Sequence, residues 1–131
     1  MVKEKQYRSN SLLRGLKILE AFGASRPQMT LSQIADEISV TSSAAYRFVQ
    51  TLEAEGYLER DPASRTFRLA PRAMQLGYSY IKSLDVGEIA GRHAMLLRDE
   101  TGFSVHVSVL EGTEVVYIYR AMSQNAMVSN I

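Results

Sequence analysis

The sequence predicts an α+β chain: an N-terminal winged helix-turn-helix, a linker helix, and the start of a mixed α/β domain. Three observations carry that prediction. Leu31, Ile34, Ala35 and Ile38 recur at the i, i+3, i+4, i+7 spacing of one helical face, and Ala45, Phe48, Val49 and Leu52 repeat it. Between them Ser39-Val40-Thr41 is too short for anything but a turn between helices. Two short alternating segments then flank Asp61-Pro62 as a hairpin would.

In chain order, Ser9 to Phe22 reads as a first helix, with Ser9 or Ser11 as its cap. Leu12, Leu16 and Leu19 run along one side, Leu13 and Ile18 broaden the stripe, and Gly23 and Pro27 stop it. Thr30 caps the next helix with Gln33 in a Thr-x-x-Gln capping box. Thr41 caps the third, and Gly56 ends it in a left-handed conformation.

Tyr57–Arg60 and Arg65–Leu69 form the hairpin that follows, with Leu58, Phe67 and Leu69 inward and Arg60, Arg65 and Arg68 outward. Its place directly after a recognition helix makes it a wing, set to meet a phosphate or the minor groove. Pro71 opens a helix to Leu84, where its missing amide hydrogen costs nothing. Asp85-x-x-Glu88 predicts a second capping box on a helix carrying Ile89, Ala90, His93, Leu96 and Leu97, ended by Gly102. Phe103–Leu110 and Glu114–Arg120 alternate around Glu111-Gly112-Thr113 as a longer hairpin. Two strands and a helix do not bury so apolar a surface alone, so the sequence is expected to stop inside its second domain.

Composition narrows the class. A 46% hydrophobic and 22% charged chain of 131 residues is one expected to fold in water. No apolar run approaches the roughly 20 residues that span a bilayer. The polar start MVKEKQYRSNS lacks the apolar centre of a secretory signal. Zero cysteines exclude disulfides and thiolate metal sites, and two histidines argue against structural zinc. A cytoplasmic protein without cofactor, metal or membrane partner is expected. Residues 1–19 hold Lys3, Lys5, Arg8, Arg14 and Lys17 against Glu4 alone, a net +4. Such an arm either trails in solvent or neutralises phosphates, and its place before a helix-turn-helix favours the second.

If the apolar side of the third helix faces a core, Ser42, Ser43, Tyr46, Arg47 and Gln50 line its open side. Arg47 can take a guanine edge, lie along a phosphate, or pair with Glu53 or Glu55. Tyr46 either offers its hydroxyl to DNA or packs flat against the turn. Ser42 and Ser43 stand in the first turn, where free amides and the helix dipole favour a phosphate, although serine also simply favours helix starts. His93 and His106 read as structural. No nucleophile–base set, Gly-rich phosphate loop or His-Glu-x-x-His pair is present.

The run Ala45-Tyr46-Arg47-Phe48-Val49-Gln50-Thr51-Leu52-Glu53-Ala54-Glu55-Gly56-Tyr57-Leu58-Glu59-Arg60-Asp61 resembles the IclR family of bacterial transcription regulators. Ser11–Leu19, Phe67-Arg68-Leu69, Leu76-Gly77 and Thr101-Gly102 match the family pattern as well, so the resemblance covers about residues 9 to 120. It implies a DNA-binding domain joined by a helix to an effector-binding domain, and a dimer or dimer of dimers on a palindromic operator. It also implies a small organic effector, whose binding residues this sequence does not name. Carried over by position, the recognition helix is Thr41 to Glu55 and its reading residues are Ser42, Ser43, Ala44, Tyr46 and Arg47. Many relatives have lysine where this chain has Ser42, which shifts weight onto Arg47 and the arm.

The expected organisation is a basic arm (1–8), a DNA-binding domain (9–70), a linker helix (71–84) and an incomplete effector-binding domain (85–131). The expected DNA contacts are Thr41, Ser42, Ser43, Ala44, Tyr46, Arg47, Gln50, Arg65, Arg68 and Arg8. Double-stranded DNA is the expected partner and no catalysis is expected. A winged helix that binds a protein instead is the alternative, and the polar residues Ser42, Ser43 and Arg47 speak against it.

Overall fold

The computed structural model describes residues 7–124, which fall into two compact units that divide between Leu76 and Gly77. Most of the predicted basic arm (1–6) and the last residues of the expected effector-binding segment (125–131) lie outside the described residues.

The first unit contains α1 (Asn10–Ala21), β1 (Met29–Thr30), α2 (Leu31–Glu37), α3 (Ser42–Ala54), β2 (Leu58–Asp61) and β3 (Thr66–Leu69). The caps that the sequence predicts in this unit are made. Ser9 Oγ accepts from Leu12 N at 3.3 Å. Gln33 N donates to Thr30 Oγ1 (3.3 Å) while Thr30 N donates to Gln33 Oε1 (2.8 Å), a complete capping box. Thr41 Oγ1 accepts from Ala44 N at 3.2 Å. At the far end of α3, Gly56 stands at φ +79, Gly56 N donates to Glu53 O and Tyr57 N donates to Leu52 O, closing the helix with a Schellman motif. The turn between α2 and α3 puts Ser39 at φ 55, a left-handed position held by a residue with a Cβ.

The core joins Ile18 and Phe22 of α1, Met29 of β1, Ile34, Ala35 and Ile38 of α2, Ala45 and Val49 of α3, Leu58 of β2 and Phe67 of β3. Each large side chain sealed here contributes about 1.5–3 kcal/mol. The α1 stripe is narrower than expected: Ile18 is buried, but Leu12 and Leu16 stay 64% and 48% exposed. A strand that the sequence does not announce, β1, pairs with β3 through Met29↔Phe67 and Thr30↔Thr66, so the wing is a three-stranded sheet in the order β1-β3-β2.

The β2–β3 register corrects two orientations. Leu58 faces Leu69 and Arg60 faces Phe67 across the ladder, so all four side chains share one face. Arg60 therefore does not point to the opposite side; its guanidinium lies over the Phe67 ring, 4.9 Å from the centroid. Leu69, expected in the core, is 39% exposed, because the sealed part of that face ends at Leu58 and Phe67.

α4 (Pro71–Ser83) begins at the predicted proline. In the first unit its Arg72 donates to Glu55 O at 3.0 Å and lies over the Tyr57 ring at 5.5 Å.

The second unit holds α5 (Val86–Thr101), β4 (Val105–Glu111) and β5 (Glu114–Ala121). The expected break at Leu84-Asp85 is present, but Asp85 caps nothing. Its backbone is helical (φ −58, ψ −22), whereas a capping side chain needs an extended residue to reach the amides ahead of it. Gly102 ends α5 at φ 74 as expected. The packed side of α5 is its small residues, Gly91 and Ala94, rather than the stripe Ile89, His93, Leu96, Leu97, which lies exposed. A Cβ at Gly91 would stand 3.3 Å from the Tyr119 ring, so the absent side chain is what lets the sheet approach. β4 and β5 pair antiparallel with a bulge: Val107 faces Tyr119 and Ser108 faces Tyr117, leaving Ile118 as the extra residue.

Candidate nucleic-acid interface

α3 is amphipathic in the sense required of a reading helix. Ala45 and Val49 are sealed in the core, and Ser42, Ser43, Tyr46, Arg47 and Gln50 are exposed on the other side. At i, i+3, i+4, i+7, Ser43, Tyr46, Arg47 and Gln50 form one stripe. Ala44 is half-buried and borders a groove against α1, and Thr41 Oγ1 is occupied by the cap, so these two stand at the margin of the stripe.

Polar contacts sort the stripe further. Gln50 Nε2 donates to Tyr46 Oη at 3.0 Å. Tyr46 also lines a cleft of about 370 Å³ with Leu31, Arg60, Pro62, Arg65 and Phe67, between helix and wing. Among the described residues Arg47 has no acid partner, as spacing alone disfavours Glu53 and Glu55, and Glu53 instead meets Arg60 at 3.5 Å. Arg47 and Gln50 instead border an open cleft with Thr51, Glu53 and Ala54.

The wing arginines separate in the same way. Arg68 Nε lies 2.6 Å from Glu59 Oε1, a charge-assisted hydrogen bond that neutralises it locally. Arg65 is exposed at the hairpin tip, at φ 55, and makes no ion pair among the described residues. The tip that presents it is tied by Asp61, whose carboxylate accepts from Ala63 N at 3.0 Å and Ser64 Oγ at 2.8 Å. The Ser64 hydroxyl, then the Ala63 and Ser64 amides and the nearby Arg68 charge hold the Asp61 carboxyl below its usual range. Ser64 and Thr66 hydroxyls lie 2.6 Å apart, and Thr66 Oγ1 donates to Gln28 Oε1 at 3.2 Å, anchoring the wing to the segment before β1. Arg8 is exposed just ahead of the Ser9 cap.

The helix-turn-helix thus gathers Ser42, Ser43, Tyr46, Arg47 and Gln50 on one helix, with Arg65 on the hairpin that follows it. What sequence reasoning missed is which arginines the acids hold: Glu53 was weighed against Arg47 but meets Arg60, and Glu59 meets Arg68. Glu53 and Glu59 decide which arginines stay free, and the shared parity of Leu58 and Arg60 was the available signal. Elsewhere in the first unit, a groove of about 750 Å³ runs between α1 and α3, lined by Leu12, Leu16, Leu19, Phe48, Leu52 and Leu76 among others. In the second unit His106 meets Tyr117 edge-on at 5.4 Å, an aromatic packing contact. No cluster of metal-ligating side chains occurs among the described residues.

Comparison with known proteins fits this architecture. Residues 11–62 match the IclR helix-turn-helix domain. The chain is 33% identical over 110 residues to the p-hydroxybenzoate hydroxylase transcriptional activator of Acinetobacter baylyi, covering 84% of this chain and 40% of that protein. A solved IclR-family transcriptional regulator from Brucella abortus superposes with a TM-score of 0.81 at 23% identity, over 93% of this chain and 46% of that one. An IclR homologue from Microbacterium hydrocarbonoxydans, solved with 4-hydroxybenzoate, gives a TM-score of 0.73 at 29% identity, over 92% of this chain and 50% of that one. The chain therefore spans half or less of each of these proteins. The exposed polar stripe on α3, the wing beside it and the match over residues 11–62 lead to one assignment: this segment of the chain is an IclR helix-turn-helix domain.

Proposed function

We propose that the chain acts in sequence-specific transcription regulation, with α3 in the DNA major groove and the wing against the backbone. The observation that carries this reading is the α3 stripe, in which Arg47 is exposed and makes no ion pair among the described residues, while Arg60 meets Glu53. Ser42 and Ser43 at the helix start suit a phosphate, and Tyr46, Arg47 and Gln50 suit base edges. Arg65 and Arg8 supply positive charge to the flanks, Arg68 a weaker share because of Glu59, and Thr41 and Ala44 frame the helix start. Residues 9–70 form the DNA-binding domain in this reading, 71–84 the linker, and 85–131 part of an effector-binding domain.

The operator is palindromic double-stranded DNA, bound by a homodimer or a dimer of dimers. Leu12 and Leu16, exposed at 64% and 48% beside the α1–α3 groove, supply apolar surface for a second copy. Two reading helices would then enter successive major grooves about 34 Å apart. The effector is a small organic molecule; the 4-hydroxybenzoate held by the Microbacterium homologue points to aromatic acids. No catalytic step is assigned, and the cytoplasm, where the chromosome is, is the proposed location.

An electrophoretic shift with operator DNA at two salt concentrations tests this. Arg47→Ala should weaken binding to the preferred site by about 1–3 kcal/mol if it takes a guanine, or lower the salt slope if it takes a phosphate. Affinity and slope both unchanged would remove α3 as the reading helix.

A further inference from the structure

We propose that Tyr46 is a positioning residue for Gln50, and that the pair reads an adenine through the Gln50 amide edge. The proposal rests on α3 being the reading helix. Tyr46 and Gln50 stand four residues apart on α3, so their side chains lie over one another on the same face, opposite the buried Ala45 and Val49. Gln50 Nε2 donates to Tyr46 Oη at 3.0 Å.

A primary amide has two donor hydrogens and a carbonyl acceptor. With the hydrogen trans to the carbonyl oxygen spent on Tyr46, Gln50 keeps the cis N–H and its carbonyl oxygen side by side in the amide plane. That donor–acceptor edge matches N7 and the N6 amino group of adenine. It mismatches guanine, whose N7 and O6 both accept, so the Gln50 carbonyl would face another oxygen.

The Tyr46 hydroxyl fixes which way the amide turns. It accepts from Gln50, so its own hydrogen is left to donate outward to a phosphate or a base acceptor. While that hydrogen points to DNA, the hydroxyl can only accept from the amide, and the Gln50 nitrogen must face it. Flipping the amide would require the hydroxyl to turn its hydrogen inward and abandon the DNA contact. Tyr46 itself lines the cleft with Leu31, Arg60 and Phe67, which gives its ring neighbours on the wing that Gln50 lacks. A side chain with three free torsions is thereby ordered before DNA arrives.

The test is selection of binding sites from a randomised duplex library by the whole chain and its variants, followed by competition between duplexes with adenine or guanine at the selected position. The wild type should select adenine at one position of the half-site. Gln50→Ala should abolish that preference. Tyr46→Phe keeps the ring in its cleft and should lower adenine-over-guanine discrimination about tenfold at that position alone, within the range a bidentate contact provides. The double variant should match Gln50→Ala, the non-additivity expected of two residues acting as one unit. The proposal is overturned if Tyr46→Phe retains full adenine preference or weakens all sequences equally, or if Gln50→Ala leaves selection unchanged. Absence of any selected sequence for the wild type would instead remove the reading role of α3, and the proposal with it.

Discussion

Arg60 of the wing reaches back to Glu53 of the recognition helix, with its Nη2 3.5 Å from the carboxylate and its guanidinium over the Phe67 ring. The contact ties β2 to the last turn of α3 and partly neutralises an acid that borders the same cleft as Arg47. Both side chains are well exposed, so the pair contributes less than about 1 kcal/mol to stability. Its larger effect is on the net charge of the surface that carries Arg47.

Glu53→Gln should therefore leave thermal stability nearly unchanged while freeing the Arg60 charge. The expected outcome is tighter DNA binding and a salt slope steeper by up to about one counterion. Titration of binding against salt concentration, with melting as the control, checks it. A lower affinity would mean that Glu53 orients the wing rather than masking charge.

The wing arginines should behave unequally. Arg65→Ala should weaken binding to all sequences and reduce the salt slope by about one. Arg68→Ala should change the slope much less, because Glu59 already neutralises that guanidinium at 2.6 Å. Equal slopes for the two variants would show that the Glu59 pair opens on DNA.

Asp61 offers a pH readout. Its folded-state pKa is depressed, chiefly by the Ser64 hydroxyl, so the stabilisation it lends the wing turn is present above the unfolded value and is lost as pH falls through the folded one. A carboxyl-detected NMR titration should find Asp61 ionising at lower pH than an ordinary aspartate. Ser64→Ala should move that midpoint upward. A midpoint indifferent to Ser64 would assign the shift to the backbone amides instead.

Two left-handed residues should respond in opposite directions. Ser39 at φ 55 carries a Cβ where glycine is more comfortable, so Ser39→Gly should stabilise by about 0.5–1 kcal/mol once the extra freedom of the unfolded chain is subtracted. Gly56 at φ +79 is the reverse case, and Gly56→Ala should destabilise by roughly 1–2 kcal/mol. Urea denaturation of both variants decides the signs.

What was legible in the sequence was what depends on neighbours in the chain. The Thr30–Gln33 box, the Thr41 cap and the Gly56 stop all follow from residues within a few positions, and each is made as read. β1 was not legible, because two residues carry no period and Met29 is a strand residue only by pairing with Phe67, 38 positions on. The packed side of α5 was not legible for a related reason. Large apolar residues do not mark it, because the close approach of Tyr119 selects the side where Gly91 and Ala94 have almost nothing to displace. On the candidate interface, residue types named the cations, while only the paired geometry separated Arg65 from Arg68.

The extra residue at Ile118 has a consequence for how β5 should tolerate change. On either side of it, alternation obeys opposite parity. Tyr119 and Ala121 share the side of Val107 and Val105, whereas Tyr117 and Val115 share the side of Ser108 and Leu110. A substitution profile along the strand should therefore change phase at one point, with permissive positions odd before Ile118 and even after it. Deleting that one residue would restore a single phase while leaving Tyr117 on the side of His106 and Tyr119 on the side of Val107.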